Sequence, residues 1–322
     1  MTARVLVALG GNAILSKDAS ARAQQAALRE TSKQLVKFVK SGDELVIAHG
    51  NGPQVGNLLL QQAAGSSEEN PPMPIDTAVA MTEGSIGYWL QNALGEELSK
   101  NNLAQEVATV VTQAIVDSKD PSFKNPSKPI GPFYNKEKAE EVKKENPEFT
   151  MIEDSGRGYR RVVPSPKPLA IKEANTIKAI IDSGNIPVAV GGGGIPVVQE
   201  ANRLIGKEAV IDKDLASEKL AELIKADELI ILTAVDNVYV NFNKPNQKKL
   251  EEVTVADMKR FIAEKQFAPG SMLPKVQAAI SFVQNSKNPD AKAVITSLEN
   301  VEDYLNNGTG TIIKKIIVKY QF

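Results

Sequence analysis

Apolar residues fall along this chain in two alternating rhythms. Short runs, Val5-Leu-Val-Ala-Leu9, Leu45-Val-Ile-Ala48, Val107-Ala-Thr-Val-Val111, Ile186-Pro-Val-Ala-Val190, Glu228-Leu-Ile-Ile-Leu-Thr233 and Ala293-Val-Ile295, read as buried strands. Between them lie stretches whose apolar residues recur every three or four positions, as one face of a helix requires. Ser20 caps the first of these, Leu28, Leu35 and Phe38 form its stripe, and Gly42 closes it. Residues 173–182, ended by Gly184, and residues 215–224 and 273–283 read as further helices. Thr254 with Asp257 three positions on caps another, and Ser297 with Glu299 opens a last short one. Residues 238–242 read as a hairpin edge. Strand and helix in turn predict βαβ units and an α/β fold, an open three-layer α/β/α sandwich around a mainly parallel central sheet.

The alternation fails between Asp117 and Pro168. Prolines, lysines, a glutamate-lysine helix at 136–144, Gly156-Arg-Gly158 and a Val162-Val163 pair take its place. Phe133, Tyr134, Phe149 and Tyr159 give the segment side chains that can pack, so it reads as a flap inserted at about 118–165 and not as disorder. Glu137, Glu140, Glu141 and Glu145 read as a solvated helix face laced with lysines. A chain of 322 residues then reads as one large domain or as two joined lobes, 1–205 with the flap and 206–322. No internal repeat or low-complexity tract interrupts it.

Three of the apolar runs end in glycine. Val5-Leu-Val-Ala-Leu runs into Gly10-Gly-Asn12, the second run into His49-Gly-Asn-Gly-Pro-Gln-Val-Gly56, and the fourth into Gly191-Gly-Gly-Gly-Ile-Pro196. A strand that ends in glycine lets backbone N–H groups come up to an oxyanion, and an asparagine adds a neutral donor beside them. Neither the Walker pattern nor the spacing of the dinucleotide fingerprint is present, which disfavours a P-loop and a standard Rossmann cofactor site.

Composition narrows the classes further. Lys plus Arg number 38 and Asp plus Glu 39, so the positive footprint of a nucleic-acid binder is missing. With no cysteine, disulfides, thiolate metal sites and thiol catalysis are excluded. No apolar run approaches the roughly 20 residues that span a bilayer, and the first strand follows the N-terminus without a charged-then-apolar leader. A cytoplasmic protein with no membrane partner is expected.

Seven segments carry a resemblance to a known family. Leu9-Gly-Gly-Asn-Ala-Ile-Leu15, His49-Gly-Asn-Gly-Pro-Gln-Val-Gly-Asn-Leu-Leu-Leu60, Lys128-Pro-Ile-Gly-Pro132, Val163-Pro-Ser-Pro-Lys-Pro168, Gly191-Gly-Gly-Gly-Ile-Pro-Val197, Ile211-Asp-Lys-Asp-Leu-Ala-Ser217 and Phe267-Ala-Pro-Gly-Ser-Met-Leu-Pro-Lys275 closely resemble carbamate kinases of the amino-acid-kinase superfamily. The resemblance covers nearly the whole chain. The Gly-Gly-Asn turn and the Lys-Pro-Ile-Gly-Pro segment distinguish carbamate kinases from acetylglutamate, aspartate and uridylate kinases of the same fold. After Lys314-Lys315 the pattern is left behind, and residues 316–322 have no assignable role. The resemblance implies an acceptor lobe followed by a nucleotide lobe, and reversible phosphoryl transfer between ATP and carbamate giving ADP and carbamoyl phosphate. It also implies Mg²⁺ bound with the nucleotide, a homodimer, and ATP synthesis in arginine catabolism by the arginine deiminase pathway.

Phosphoryl transfer asks a protein for positioning and positive charge, so lysines in special contexts are the residues to find. Lys213 stands between Asp212 and Asp214 at a helix entrance; an N-capping Asp214 beside a solvated lysine is the plainer alternative. Lys275 follows a turn-rich segment that leads into a helix and by itself reads as a surface lysine on a loop, and Lys128 lies in a proline-stiffened segment. By resemblance Lys213 binds the transferring phosphoryl, Asp214 orients the lysines, Lys275 lies near the ATP phosphates and Lys128 reaches over the substrate from the flap. Gly10, Gly11, Asn12, Gly50, Asn51 and Gly52 would bind the acceptor, and Thr233, Asp236, Tyr239, Gly270, Ser271 and Met272 the nucleotide. Asp236-Asn237 is also ordinary turn chemistry. No His or Asp cluster has protein-only metal-ligand spacing, so no protein-held metal is expected. His49, the sole histidine, fits a hydrogen bond that shapes its loop better than a general base, because carbamate is already an anion. Met81, Ile86, Tyr88, Trp89 and Leu90 either face a partner or belong to a core helix. Two rivals stand beside this reading: another carboxylate-phosphorylating kinase of the same fold, and a catalytically silent nucleotide-binding sensor.

Overall fold

The first strand, β1 (Arg4–Leu9), is apolar from Val5 to Leu9 because both of its faces are covered there. In the computed structural model, which describes residues 2–14, 18–154, 156 and 158–315, with Asn12 as backbone alone, it lies in the middle of the molecule. The chain continues through α1 (Ala21–Lys40), β2 (Glu44–His49), α2 (Gly52–Gly65), α3 (Ile75–Lys100), β3 (Val107–Thr109), β4 (Gln113–Val116), β5 (Lys128–Tyr134), α4 (Lys136–Glu145), β6 (Thr150–Glu153), β7 (Tyr159–Val163), β8 (Pro168–Ile171), α5 (Ala174–Asp182), β9 (Ile186–Val188), β10 (Ile195–Glu200) and β11 (Arg203–Gly206). The second half comprises α6 (Lys213–Leu223), β12 (Glu228–Thr233), β13 (Val238–Val240), β14 (Lys248–Leu250), β15 (Glu252–Thr254), α7 (Val255–Ala263), α8 (Met272–Asn285), β16 (Lys292–Ser297), α9 (Val301–Asn307) and β17 (Thr311–Lys314). Residues 316–322, the Arg157 of the Gly-Arg-Gly turn and the Asn12 side chain lie outside the described residues.

Eight strands form the central sheet in the order β15-β17-β16-β12-β1-β2-β9-β3, parallel at every pairing except β16 with β17. Strand alternation divides its core. Val5, Val7 and Leu9 pack with Leu28, Leu35 and Phe38 of α1 and with Ile86 and Leu90 of α3, whereas Leu6 and Ala8 pack with Ile181 of α5, Leu220 of α6 and Phe282 of α8. The sheet is thus the middle of three layers, as the sequence pattern predicts. Ser20 caps α1 by accepting the Ala23 N–H, and Thr254 and Asp257 complete a capping box at α7. The last helix differs in detail: it starts at Val301 with Asn300 at its cap, while the Ser297 hydroxyl accepts the Asn300 N–H one turn earlier. The apolar stretch at 81–90 is part of α3, and the helical period splits it. Ile86 and Leu90 are core, Met81 and Tyr88 are exposed, and Trp89 is half-buried. A second sheet, β11-β10-β4-β8, was not foreseen, because its strands are short and half-buried.

Among the described residues the flap is folded and its aromatics do pack. β5, β7 and β6 form an antiparallel sheet flanked by α4, and two of the four aromatics stack on arginines, Arg160 4.9 Å from the Phe133 centroid and Arg161 3.6 Å from that of Phe149. Its seat on the body is apolar: Ile130 and Val163 pack with Val55 of α2, Val79 of α3 and Val210 just before α6. There the backbones of Gly56 and Gly131 touch, and a Cβ at Gly56 would lie 2.0 Å from Gly131 Cα. Gly56→Ala therefore has to lift β5 from α2. Overpacking of this kind costs about 1–3 kcal/mol, which a denaturant melt measures. Limited proteolysis should also cut the flap faster, and an unchanged melt with unchanged cleavage would show that β5 does not rest on α2 there.

Candidate active site

Sheet register puts the glycine loops side by side. Leu9 pairs with His49, Ile47 with Val188, and Ala8 with Ile231, so the loops after β1, β2, β9 and β12 all leave the same carboxyl edge. β1 is the strand from which the order runs outward both ways, the position at which open α/β sheets bind ligands. Gly10 is required there by crowding, since a Cβ would lie 2.4 Å from the Leu232 carbonyl oxygen; Gly11 stands in open space. At Gly50 a Cβ would come within 3.3 Å of the Lys213 side chain, so its absence leaves room for that lysine to pass. α2 begins at Gly52, and the Asn51 side chain does not cap it. Asn51 instead donates through Nδ2 to Thr82 Oγ1 at 2.9 Å, which leaves first-turn amides of α2 free for an anion.

The three candidate lysines converge on two carboxylates. Asp212 is the N-cap of α6: its Oδ1 accepts the Asp214 N–H at 2.9 Å, and its Oδ2 accepts from Lys128 Nζ at 2.6 Å. Asp214 accepts from Lys213 Nζ through one oxygen and from Lys275 Nζ, at 2.9 Å, through the other. The plainer alternative fails on both counts, because Asp212 caps the helix and Lys213 is only 9% exposed. Burial pushes the Asp214 carboxyl up, but the Lys213 and Lys275 ammonium groups outweigh it and hold it well below the usual carboxylate range. Burial also pushes the Lys213 ammonium down, the Asp214 carboxylate opposes this, and neighbouring Lys275 adds to it. At Asp212 burial is again outweighed, here by Lys128. Three ammonium groups against two carboxylates leave one positive charge beside the glycine loops.

The candidate nucleotide residues are less tightly gathered. Thr233 shares a cavity of about 200 Å³ with Gly10, Ala13, Leu298 and Glu299. Asp236 accepts a hydrogen bond from the Ser297 hydroxyl at the same sheet edge. Tyr239 lies on the β13–β14 hairpin, its ring 6.1 Å from that of Phe242, and does not line that cavity. Gly270 and Ser271 are exposed just before α8, and Met272 opens the helix that carries Lys275 in its first turn.

Known proteins resemble this chain over nearly its full length. Residues 3–297 match the model of the amino acid kinase family. The carbamate kinase of Lentilactobacillus hilgardii is 65% identical over 98% of this chain and 98% of its own. That of Oenococcus oeni is 64% identical over 97% and 99%. Among solved structures, carbamate kinase from Giardia lamblia bound to AMP-PNP superposes with a TM-score of 0.87 at 40% identity, over 97% of this chain and 98% of that one. The chain belongs to the carbamate kinases of the amino acid kinase family. It is accordingly a phosphotransferase.

For a carbamate kinase, two features of the site were not legible beforehand. Asp212 was visible only as a neighbour of Lys213, yet it receives Lys128 from the flap. Behind the loops, Thr82, Glu83 and Thr112 form a buried polar layer that no local motif announces. His49 is fully buried, and its Nδ1 lies 3.0 Å from the Gly50 carbonyl oxygen, to which it donates as the neutral ring. Burial, opposed by that hydrogen bond and aided by the Lys213 charge, pushes the imidazole down to about 4. Between pH 6.5 and about 4 the unfolded chain takes up a proton that the folded one refuses, so stability is complete above this window and falls as pH falls through it, by about 3 kcal/mol. His49→Asn should shed much of that acid sensitivity in pH-dependent melts. Its activity should fall well short of the roughly 10²–10⁴-fold loss of a missing general acid or base. A loss at the top of that range in a folded variant would make His49 a proton carrier.

Proposed function

We propose that this chain runs the carbamate kinase reaction, ATP plus carbamate to ADP plus carbamoyl phosphate and back, with residues 1–205 holding the acceptor and 206–322 the nucleotide. The observation that supports this reading is the convergence of Lys213 from α6 and Lys275 from α8 on the one Asp214 carboxylate. Forward, a carbamate oxygen bonds to the γ-phosphorus as the bond from that phosphorus to the β,γ-bridging oxygen breaks, and the electron pair leaves on ADP. Carbamate enters as an anion, so the oxygen needs no base. Amides of Gly10, Gly11, Gly50 and Gly52, with Asn12 and Asn51, donate to the acceptor and to the phosphoryl in flight. Lys128, Lys213 and Lys275 neutralise its spreading charge, and Asp214 keeps two of them in place before substrate arrives.

Thr233, Asp236, Tyr239, Gly270, Ser271 and Met272 serve the nucleotide in this reading. Mg²⁺ enters as part of the nucleotide substrate, since Asp212 and Asp214 are already engaged by lysines. Cytoplasmic ATP synthesis during arginine breakdown and a homodimer belong to the same proposal. Among the described residues, no helix is long and apolar enough to cross a membrane. The intact set of three lysines and two aspartates argues against a silent sensor.

Lys213→Met is the direct test. The methionine keeps most of the stem, and Asp214 keeps Lys275, so the variant should fold. Losing a preorganised cation should cost on the order of 10²–10³ in kcat for ATP formation from ADP and carbamoyl phosphate. Lys207→Met is the control, because among the described residues that lysine pairs only with Glu200, at 3.6 Å, and it should behave as the parent. Equal activity of the two folded variants at saturating substrates would remove Lys213 from the mechanism.

A further inference from the structure

The turn after β9 is held in an unfavourable conformation by a threonine. Val190 has φ 47° and ψ 39°, a left-handed geometry that β-branched side chains resist, and it is fully buried. Its N–H donates to Thr112 Oγ1 at 3.0 Å, while the same hydroxyl donates to the Val110 carbonyl at 2.6 Å. At the far end of the turn the Ile195 N–H donates to the Thr112 carbonyl at 2.8 Å. Thr112 thus grips both ends, and its own N–H is held at 3.0 Å by Glu83 Oε2 from α3. Between the two ends the glycines act as a wedge. A Cβ would lie 2.6 Å from His49 Nε2 at Gly191, 2.2 Å from Asn51 Nδ2 at Gly192, and 2.4 Å from the Ile211 carbonyl oxygen at Gly193.

We propose that Glu83 is a positioning residue for the reaction, working as an uncharged carboxylic acid that fixes the 190–195 turn through Thr112 and so seats Asn51 against the acceptor. The proposal rests on the acceptor-side reading of Asn51. A carboxylate at this depth would need several donors, yet Thr112 N–H is the one that reaches it, and Oε1 has no partner among the described residues. Burial, opposed by that N–H and aided by Glu173, pushes the Glu83 carboxyl well up from its ordinary range. His49 Nε2 is the other unpartnered atom beside Gly191, and with Nδ1 donating to Gly50 it is an acceptor, the complement of a carboxylic O–H.

Three variants test this, Glu83→Gln, Glu83→Ala and Thr112→Val, assayed for ATP formation from ADP and carbamoyl phosphate and for amide hydrogen exchange over residues 186–196. Glu83→Gln preserves a neutral acceptor and adds a donor, so it should stay close to the parent in both readouts. Glu83→Ala and Thr112→Val should exchange faster across the turn. They should also lose about ten- to hundredfold in kcat/KM for carbamoyl phosphate with the KM for ADP unchanged, the scale of a displaced positioning group. Glu83→Gln as impaired as Glu83→Ala would overturn the uncharged role. Parent-like exchange in both of the other variants would overturn the brace itself. Faster exchange with parent-like kinetics would instead refute the acceptor-side reading of Asn51. If Glu83→Ala does not fold, Thr112→Val and Glu83→Gln carry the test alone.

Discussion

One buried carboxylate organises the ion pairs at the centre of this molecule. Asp214 takes an ammonium group on each of its oxygens, one from its own helix and one from α8. Taking ions out of water is costly, and the arrangement survives because each charge meets its opposite at hydrogen-bond distance. The consequence is electrostatic: two cations that would otherwise sweep through solvent on flexible stems are held in place, which in the proposed reaction leaves little reorganisation when a phosphoryl group arrives. Much of the surrounding structure serves that geometry. The packing of α6 against α8 on the sheet sets where the two lysines start, and Gly50 leaves the gap through which Lys213 passes.

A second carboxylate ties the inserted flap to the body of the molecule. Asp212 caps α6 with one oxygen and receives Lys128 with the other, so the entrance of the lysine-bearing helix is also the landing point of the flap. The flap reaches it from a defined seat, the contact of Gly131 with Gly56 and the apolar cluster around Ile130 and Val55. In a segment rich in prolines and charge, two glycines and a few aliphatic residues thus decide where its lysine goes. Two of the flap aromatics, Phe133 and Phe149, pack by stacking on arginines, where the cation and the ring face both profit.

Relatives with 64–65% identity over nearly the full chain place the protein among carbamate kinases, and the geometry gives that membership physical content. The carboxyl edge of a parallel sheet collects backbone donors, and long-range ion pairs collect the cations. Neither alone makes a phosphoryl-transfer site.

The sequence by itself determined the periodic elements and the types of group available. Strands buried on both faces must be apolar throughout, and helices on such a sheet must be apolar on one stripe, so β1, β2, β12 and α1 were readable from local pattern. Glycines at strand ends and lysines flanked by aspartates or prolines were readable for the same reason, since each follows from chemistry within a few residues. Pairings across the chain were not. That Lys128 meets Asp212, that Lys275 meets Asp214, that Thr112 holds the backbone of Val190, and that β4, β8, β10 and β11 form a second sheet are contacts between residues as many as 84 positions apart. No local rule encodes them, because they exist only once the central sheet brings its loops to one edge and the helices packed on it set the angles at which side chains meet. Burial belongs to the same class: a lysine in the sequence is a solvated charge until a tertiary structure closes around it, and at Lys213 that closure turns the charge into a positioned one.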